Sequence, residues 1–265
     1  FPKYFTFITR SSSLFTAKFF SGIPAKENLS HSPAPASTPL TSISTEASAS
    51  PFRLLAGAEF SAVALGPFAY VMPALSKDGK NAAFYSETFR PAGITRLEAG
   101  AITLGVRDEK PFFHCHALWR EADGKRNGGH ILPEETYVAE PITVTAFGLD
   151  GACFDAPLDG ETNFRLFSPK PIPPGAPETS GCALAVRLKP NQDFAGAIEA
   201  LCAENGFRRA RLRGGVGSTI GSRMVDGTEV ANFATEVFIR RGVIEPDEAG
   251  HPRASIDVGL VDYRS

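Results

Sequence analysis

The sequence predicts an α+β chain that is mostly sheet and is laid out as two similar halves. Three observations predict it. From about residue 52 onward, short runs rich in β-branched and aromatic residues alternate with Gly, Pro, Asn and Asp turns. One segment, 194–204, has helical spacing instead, with Phe194, Ala197, Ile198, Leu201 and Cys202 on one face. The order of turns and strands before residue 168 then recurs after residue 181.

Residues 1–50 read as an extension. Lys3, Arg10, Lys18 and Lys26 sit among Ser, Thr and Phe with no acid before Glu27, a composition shared by organellar presequences and disordered tails. The second is the simpler reading, and residues 31–50 continue it as a Ser/Pro/Ala/Thr linker with room for a short helix at 41–48. The first domain is expected over 51–168. Residues 52–66 and 82–89 read as strands, with Asp78-Gly79-Lys80 as the hairpin turn before the second. Residues 101–104 form another short strand, and 136–149 alternate with Val, Ile and Thr. Five prolines (Pro169, Pro171, Pro173, Pro174, Pro177) make 169–181 an extended linker, because proline fixes φ and removes donors. The second domain, 182–265, opens with a strand at 183–188. Its helix is capped by Asn191 or Asp193 and stopped by Asn205-Gly206. Strands follow at 207–212, 230–240 and 255–261, with a tight glycine turn at 214–218.

The chemistry concentrates in residues 111–130, which hold three of the five histidines and the single tryptophan. His114 and His116 are two apart and share one face of an extended strand over 112–119. Residues 122–129, rich in Gly, Asn and Asp, suit a reversal that would return His130 beside them. Three neutral imidazoles meeting at one point form an open metal site, with zinc the first candidate and iron or another late divalent ion the second. The alternative is an aromatic-rich strand whose histidines only bond to backbone. Cys115 points to the opposite face and reads as core.

Composition narrows the classes. With 43% hydrophobic and 21% charged residues, the chain has enough apolar material for a proper core in either unit. A net charge of −2 gives no general pull toward nucleic acid or anionic lipid. Cys115, Cys153, Cys182 and Cys202 are scattered without a Cys-X-X-Cys, which points to a reduced, cytoplasmic setting. No apolar run nears the roughly 18 residues of a spanning helix, so no membrane partner is expected.

In the repeat, Gly66-Pro67 through Asp78-Gly79 to Phe89 parallels Gly217-Ser218 through Asp226-Gly227 to Phe238. His114 then pairs with Ser255 and His116 with Asp257, while the counterpart of His130 falls past Ser265. The second copy is expected to be incomplete and without ligands, giving one metal site per chain.

His114-Cys115-His116 with Gly128-Gly129-His130, and Arg187-Leu188-Lys189-Pro190, Gly214-Gly215-Val216-Gly217-Ser218 and Thr235-Glu236-Val237 in the second half, resemble the plants-and-prokaryotes-conserved (PPC or PCC) domain family in tandem. The resemblance spans most of 52–265. It implies an α+β fold with a bent, mainly antiparallel sheet and one or two flanking helices, duplicated here. It also implies homo-oligomers of trimer or trimer-like geometry, and a divalent metal on His114, His116 and His130. In plant relatives DNA contact comes from an Arg-Gly-Arg-Pro hook, which this chain lacks.

The functional expectation is a metal-binding, oligomer-forming module that is regulatory, DNA-associated or binds a small molecule. The alternative is a zinc-dependent hydrolase or decarboxylase acting on a small oxo-acid or ester, since acetolactate decarboxylase and a related zinc ester hydrolase resemble the same fold. Glu121, Asp123, Glu134 and Glu135 lie near the histidines in sequence, each equally suited to a solvated turn. Arg120 suits either a carboxylate clamp or the surface. Arg208, Arg209, Arg211 and Arg213 form a basic cluster in the second half, suited to an exposed face or to phosphate contact.

Overall fold

Alternation of side chains with a period of two governs nearly every ordered stretch of the chain. The computed structural model describes residues 3–10, 20–21, 38–40, 55–60, 63–81, 83–140, 145–148, 152–171 and 183–263. The elements that place the site are β1 (Lys3–Arg10), β2 (Leu55–Phe60), β3 (Tyr70–Val71), β4 (Thr95–Arg107), β5 (Lys110–Arg120) and β6 (Arg126–Ile131). They continue with β7 (Ala183–Arg187), α1 (Phe194–Glu204), β8 (Ala210–Arg213), β9 (Val216–Ser218), β10 (Thr235–Pro246) and β11 (Pro252–Asp262). One sheet runs β2-β4-β5-β6-β3, and the other runs β7-β1-β8-β10-β9 with β11 on the far side of β10. The pairings along both paths are antiparallel. Ser168–Pro171, at the start of the proline-rich stretch, pairs with Ala152–Asp155 and so joins the first sheet.

The expected α+β class with one or two helices flanking each sheet is corrected: the fold is mostly β. Among the described residues α1 is the one α-helix, and the first sheet has only a three-residue 3-10 turn at Pro133–Glu135. The reason is in the pattern. Outside 194–204 the apolar residues fall in short β-branched and aromatic runs such as Val237-Phe238-Ile239, buried on both faces of their strands, without the spacing that would line one face of a helix. The α1 segment itself begins as its sequence indicates, with Asp193 as N-cap accepting from the Gly196 N–H at 2.7 Å. The helix suggested at 41–48 lies outside the described residues.

Each sheet has its own core. Phe68, Tyr70, Leu97, Ile102, Leu104, Phe113, Cys115, Ala117, Trp119 and Ile131 fill the first. Ile198 and Cys202 of α1 pack with Val186, Leu212, Val237, Ile239 and Ile244 in the second. Fully burying a side chain such as Phe113 or Ile198 contributes about 1.5–3 kcal/mol. A third cluster, Ala101, Val216 and Phe238 with Ala99 and Leu118, joins the two sheets at a seam. Opposite Phe238 in the ladder stands Gly259, where a Cβ would lie 2.3 Å from the buried ring, so the residue must be glycine for Phe238 to reach the seam.

Candidate metal centre

The seam is where the histidines lie. On β5, Phe113, Cys115 and Ala117 turn into the first core, so alternation sends His114, His116 and Leu118 to the other face, toward the second sheet. The turn after β5 is closed by the Lys125 carbonyl accepting from the Glu121 N–H at 2.8 Å and by Asp123 accepting from the Lys125 N–H at 2.8 Å. It sets the register that places His130 of β6 directly opposite His116. Gly129 makes the return possible. Its φ is +150°, and a Cβ there would lie 2.7 Å from the Val71 carbonyl of β3.

The structure brings all three sequence-selected histidines together. His114 Nε2 is 2.8 Å from His116 Nε2, and His130 Nδ1 is 3.3 Å from the same atom. A fourth donor comes from the other half of the chain: Glu236 Oε2 on β10 is 2.5 Å from His116 Nε2. One ligand atom from each of the four lies within 4.8 Å of the others. The His116 and Glu236 side chains are 1% and 8% exposed, and His114 and His130 are half-buried.

Hydrogen bonding fixes how these groups present themselves. His116 Nδ1 is 2.9 Å from the Val237 carbonyl, which can only accept, so Nδ1 carries the proton and a neutral ring offers Nε2 as a bare lone pair. Burial, followed by the neighbouring His116 and His130 rings, holds His114 well below the usual imidazole pKa. Burial and then His116 bring His130 down to about 3. Both stay neutral at physiological pH, the form that binds metal. Among the described residues no Lys or Arg pairs with Glu236. His116 Nε2 thus faces a carboxylate and two further ring nitrogens across distances at or inside the ~3.3 Å spacing of donors around a tetrahedral zinc with bonds near 2.0–2.1 Å. Lone pairs crowded in this way require a shared cation, either a metal or a proton.

The acids near the histidines in sequence do other things. Glu121 accepts from Tyr70 Oη, Trp119 Nε1 and Asn127 Nδ2. Asp123 caps the turn, Glu135 pairs with Arg90, Glu134 is exposed, and none of the four belongs to the cluster. Arg120 pairs with Glu98 and donates to the Gly124 carbonyl, away from the histidines. Arg209 pairs with Glu245. Glu236 is what the sequence reading missed. Its signal was present: an acid inside Thr235-Glu236-Val237-Phe238-Ile239, a β-run buried at all five positions, with Val237 and Ile239 in the second core and Glu236 and Phe238 at the seam. Tyr85, whose ring lies 5.1 Å from that of His130, was read only as strand.

No family model matches the chain, and no curated protein matches it. Solved structures similar to part of it include a metal-containing protein from Archaeoglobus fulgidus (21% identity over 43% of this chain and 75% of that one, TM-score 0.33). A plant- and prokaryote-conserved (PPC) protein from Pyrococcus horikoshii is similar at 18% identity over 50% and 87%, TM-score 0.38. A candidate DNA-binding protein from Ralstonia eutropha JMP134 is similar at 14% over 49% and 82%, TM-score 0.34. Each is a partial likeness at low identity. Among the described residues, no helix is long and apolar enough to cross a membrane.

Proposed function

We propose that this chain is a metal-binding module of PPC-like type whose centre is shared between its two halves, with His114, His116 and His130 from the first and Glu236 from the second. The observation that carries the reading is the convergence on His116 Nε2, its ring oriented by the Val237 carbonyl, of two further ring nitrogens and a buried carboxylate. Three imidazoles and one carboxylate suit zinc first, and iron or another late divalent ion second. A bound ion would supply Lewis acidity, and one that takes five or six ligands would keep a place for a small ligand beside the four protein donors. The protein's own part is to orient the donors, keep the imidazoles unprotonated and exclude bulk water. Homo-oligomer formation, as a trimer or trimer-like assembly, enters the reading through the resemblance alone, and sedimentation of the purified chain measures it.

Metal analysis tests the reading. Chain purified without chelator and reloaded with zinc is expected to hold about one ion per molecule, and His116→Ala to hold none under the same conditions. Retention of a stoichiometric ion by His116→Ala would move the site elsewhere. A chain that takes up no divalent ion would leave a buried proton-sharing cluster in its place.

A further inference from the structure

Beside the proposed centre, against the His130 ring, lies a tyrosine that the four donors do not account for. Tyr85 stands on the short hairpin Pro73–Ala74/Phe84–Tyr85, with Pro73 as its ladder partner. Its ring lies 5.1 Å from the His130 ring and edge-on to Phe164 at 6.2 Å. The hairpin is anchored where Ser86 N–H donates to the Met72 carbonyl at 3.0 Å and Met72 N–H to Ser86 Oγ at 2.9 Å. Its first leg packs against β10, the strand of Glu236. The residue is 39% exposed, so it can meet both the half-buried His130 ring and solvent. Among the described residues its hydroxyl makes no hydrogen bond.

We propose that Tyr85 is a ligand-binding residue of this centre, its hydroxyl donating to an oxygen of a small monoanion of the carboxylate class held at the metal. The proposal rests on the metal reading above. Its charge argument is direct. A divalent ion with three neutral imidazoles and one carboxylate keeps one net positive charge in a site whose central donors are buried, and a monoanion cancels it. Metals that take five or six ligands have positions left after the four protein donors.

The test uses the full chain loaded with cobalt(II), with acetate as probe and the visible cobalt spectrum as readout, beside Tyr85→Phe. Acetate should shift the wild-type spectrum saturably. In Tyr85→Phe, cobalt affinity by chelator competition should stay within about 2-fold, while acetate affinity falls by about 10-fold or more, the loss of one charge-assisted hydrogen bond. Equal acetate affinity in the two proteins, or no spectral response in cobalt-loaded wild type, overturns the role of Tyr85 and leaves the metal centre standing. Failure of the wild type to take up cobalt sinks the metal reading itself, and this proposal with it. Phenylalanine keeps the ring packing, and unchanged cobalt affinity in the variant shows that the site is folded.

Discussion

The two long hairpins of the chain, β4–β5 and β10–β11, are alike in build and unlike in chemistry. Each is an extended antiparallel pair with one register shift, between Leu118 and Trp119 in the first and between Ile239 and Arg241 in the second. The first lies inside its sheet, with β2 on one side and β6 on the other. In the second, β11 is an edge strand whose Arg253, Ser255 and Asp257 are exposed. Ser255 and Asp257, the positions that the repeat pairing sets against His114 and His116, pair with Val243 and Arg241 on a solvated face. The second hairpin still serves the centre, from its other arm: Glu236 and the Val237 carbonyl of β10 close over His116. Donors therefore sit where one hairpin is covered by the other, because neutral imidazoles and a carboxylate with a bare lone pair between them need a dry, fixed surrounding.

The strongest way to break this comparison is to remove the atom both hairpins share. His116→Ala should lower zinc affinity by more than about 100-fold, since it deletes the donor that the other three surround. Competition against a fluorescent chelator measures it, and a loss below about 3-fold would show that β5 is not the centre. Next in size is the second hairpin's contribution. Glu236→Gln keeps shape and removes the charge, and should cost about 10–100-fold in zinc affinity. A variant indistinguishable from wild type would return the site to the first hairpin alone.

Proton competition sharpens the same contrast. His114 and His130 have pKa values lowered in the fold, His130 to about 3, against about 6.5 for the unfolded chain. Below pH 6.5 the unfolded chain binds protons that the fold rejects, so metal-free protein should lose stability as pH falls from about 6.5 toward 3 and keep it above that window. Each such histidine contributes up to about 1.4 kcal/mol per pH unit, and His130→Gln should flatten the slope of urea-melt stability against pH. An unchanged slope would mean that His130 is solvated and outside the cluster.

Much of the first hairpin was legible because its signals are local. His114 and His116 share a face by strand alternation, and the glycine-rich turn sets the register of His130, all within 17 residues. Glu236 was not legible as a partner because it lies 120 residues from His116, and only the packing of two sheets at the seam joins them. Its burial could have been inferred from Thr235-Glu236-Val237-Phe238-Ile239, but a buried acid does not say which histidine it faces. The helix 194–204 was plain from its spacing and from the two candidate caps before it, Asn191 and Asp193, of which the fold uses Asp193. The flanking helices expected elsewhere came from the resemblance, while the β-branched and aromatic runs between Gly, Pro, Asn and Asp turns had already argued for strands.

Smaller effects test whether the second hairpin is more than scaffold. Gly259→Ala should cost about 1–3 kcal/mol of stability, because a methyl group 2.3 Å from Phe238 forces that ring off the seam. It should also weaken zinc binding slightly, since Phe238 lies two residues from Glu236 on the same face of β10. A thermal melt and the chelator assay read the two effects separately.

The smallest expected effect is the most discriminating. Ser255→Ala with Asp257→Asn alters the two positions that the sequence pairing expects opposite the histidines, on the exposed arm of β11. Among the described residues Asp257 has a long, exposed contact with Arg240 at 3.8 Å, and such pairs contribute about 0–1 kcal/mol. The double variant should therefore shift stability by no more than about 0.5 kcal/mol and leave zinc affinity unchanged. If zinc affinity falls instead, the exposed arm holds an ion of its own, and the two hairpins are equal sites rather than a site and its cover. An unchanged affinity, beside a large loss in Glu236→Gln, assigns the second hairpin's role to β10 alone.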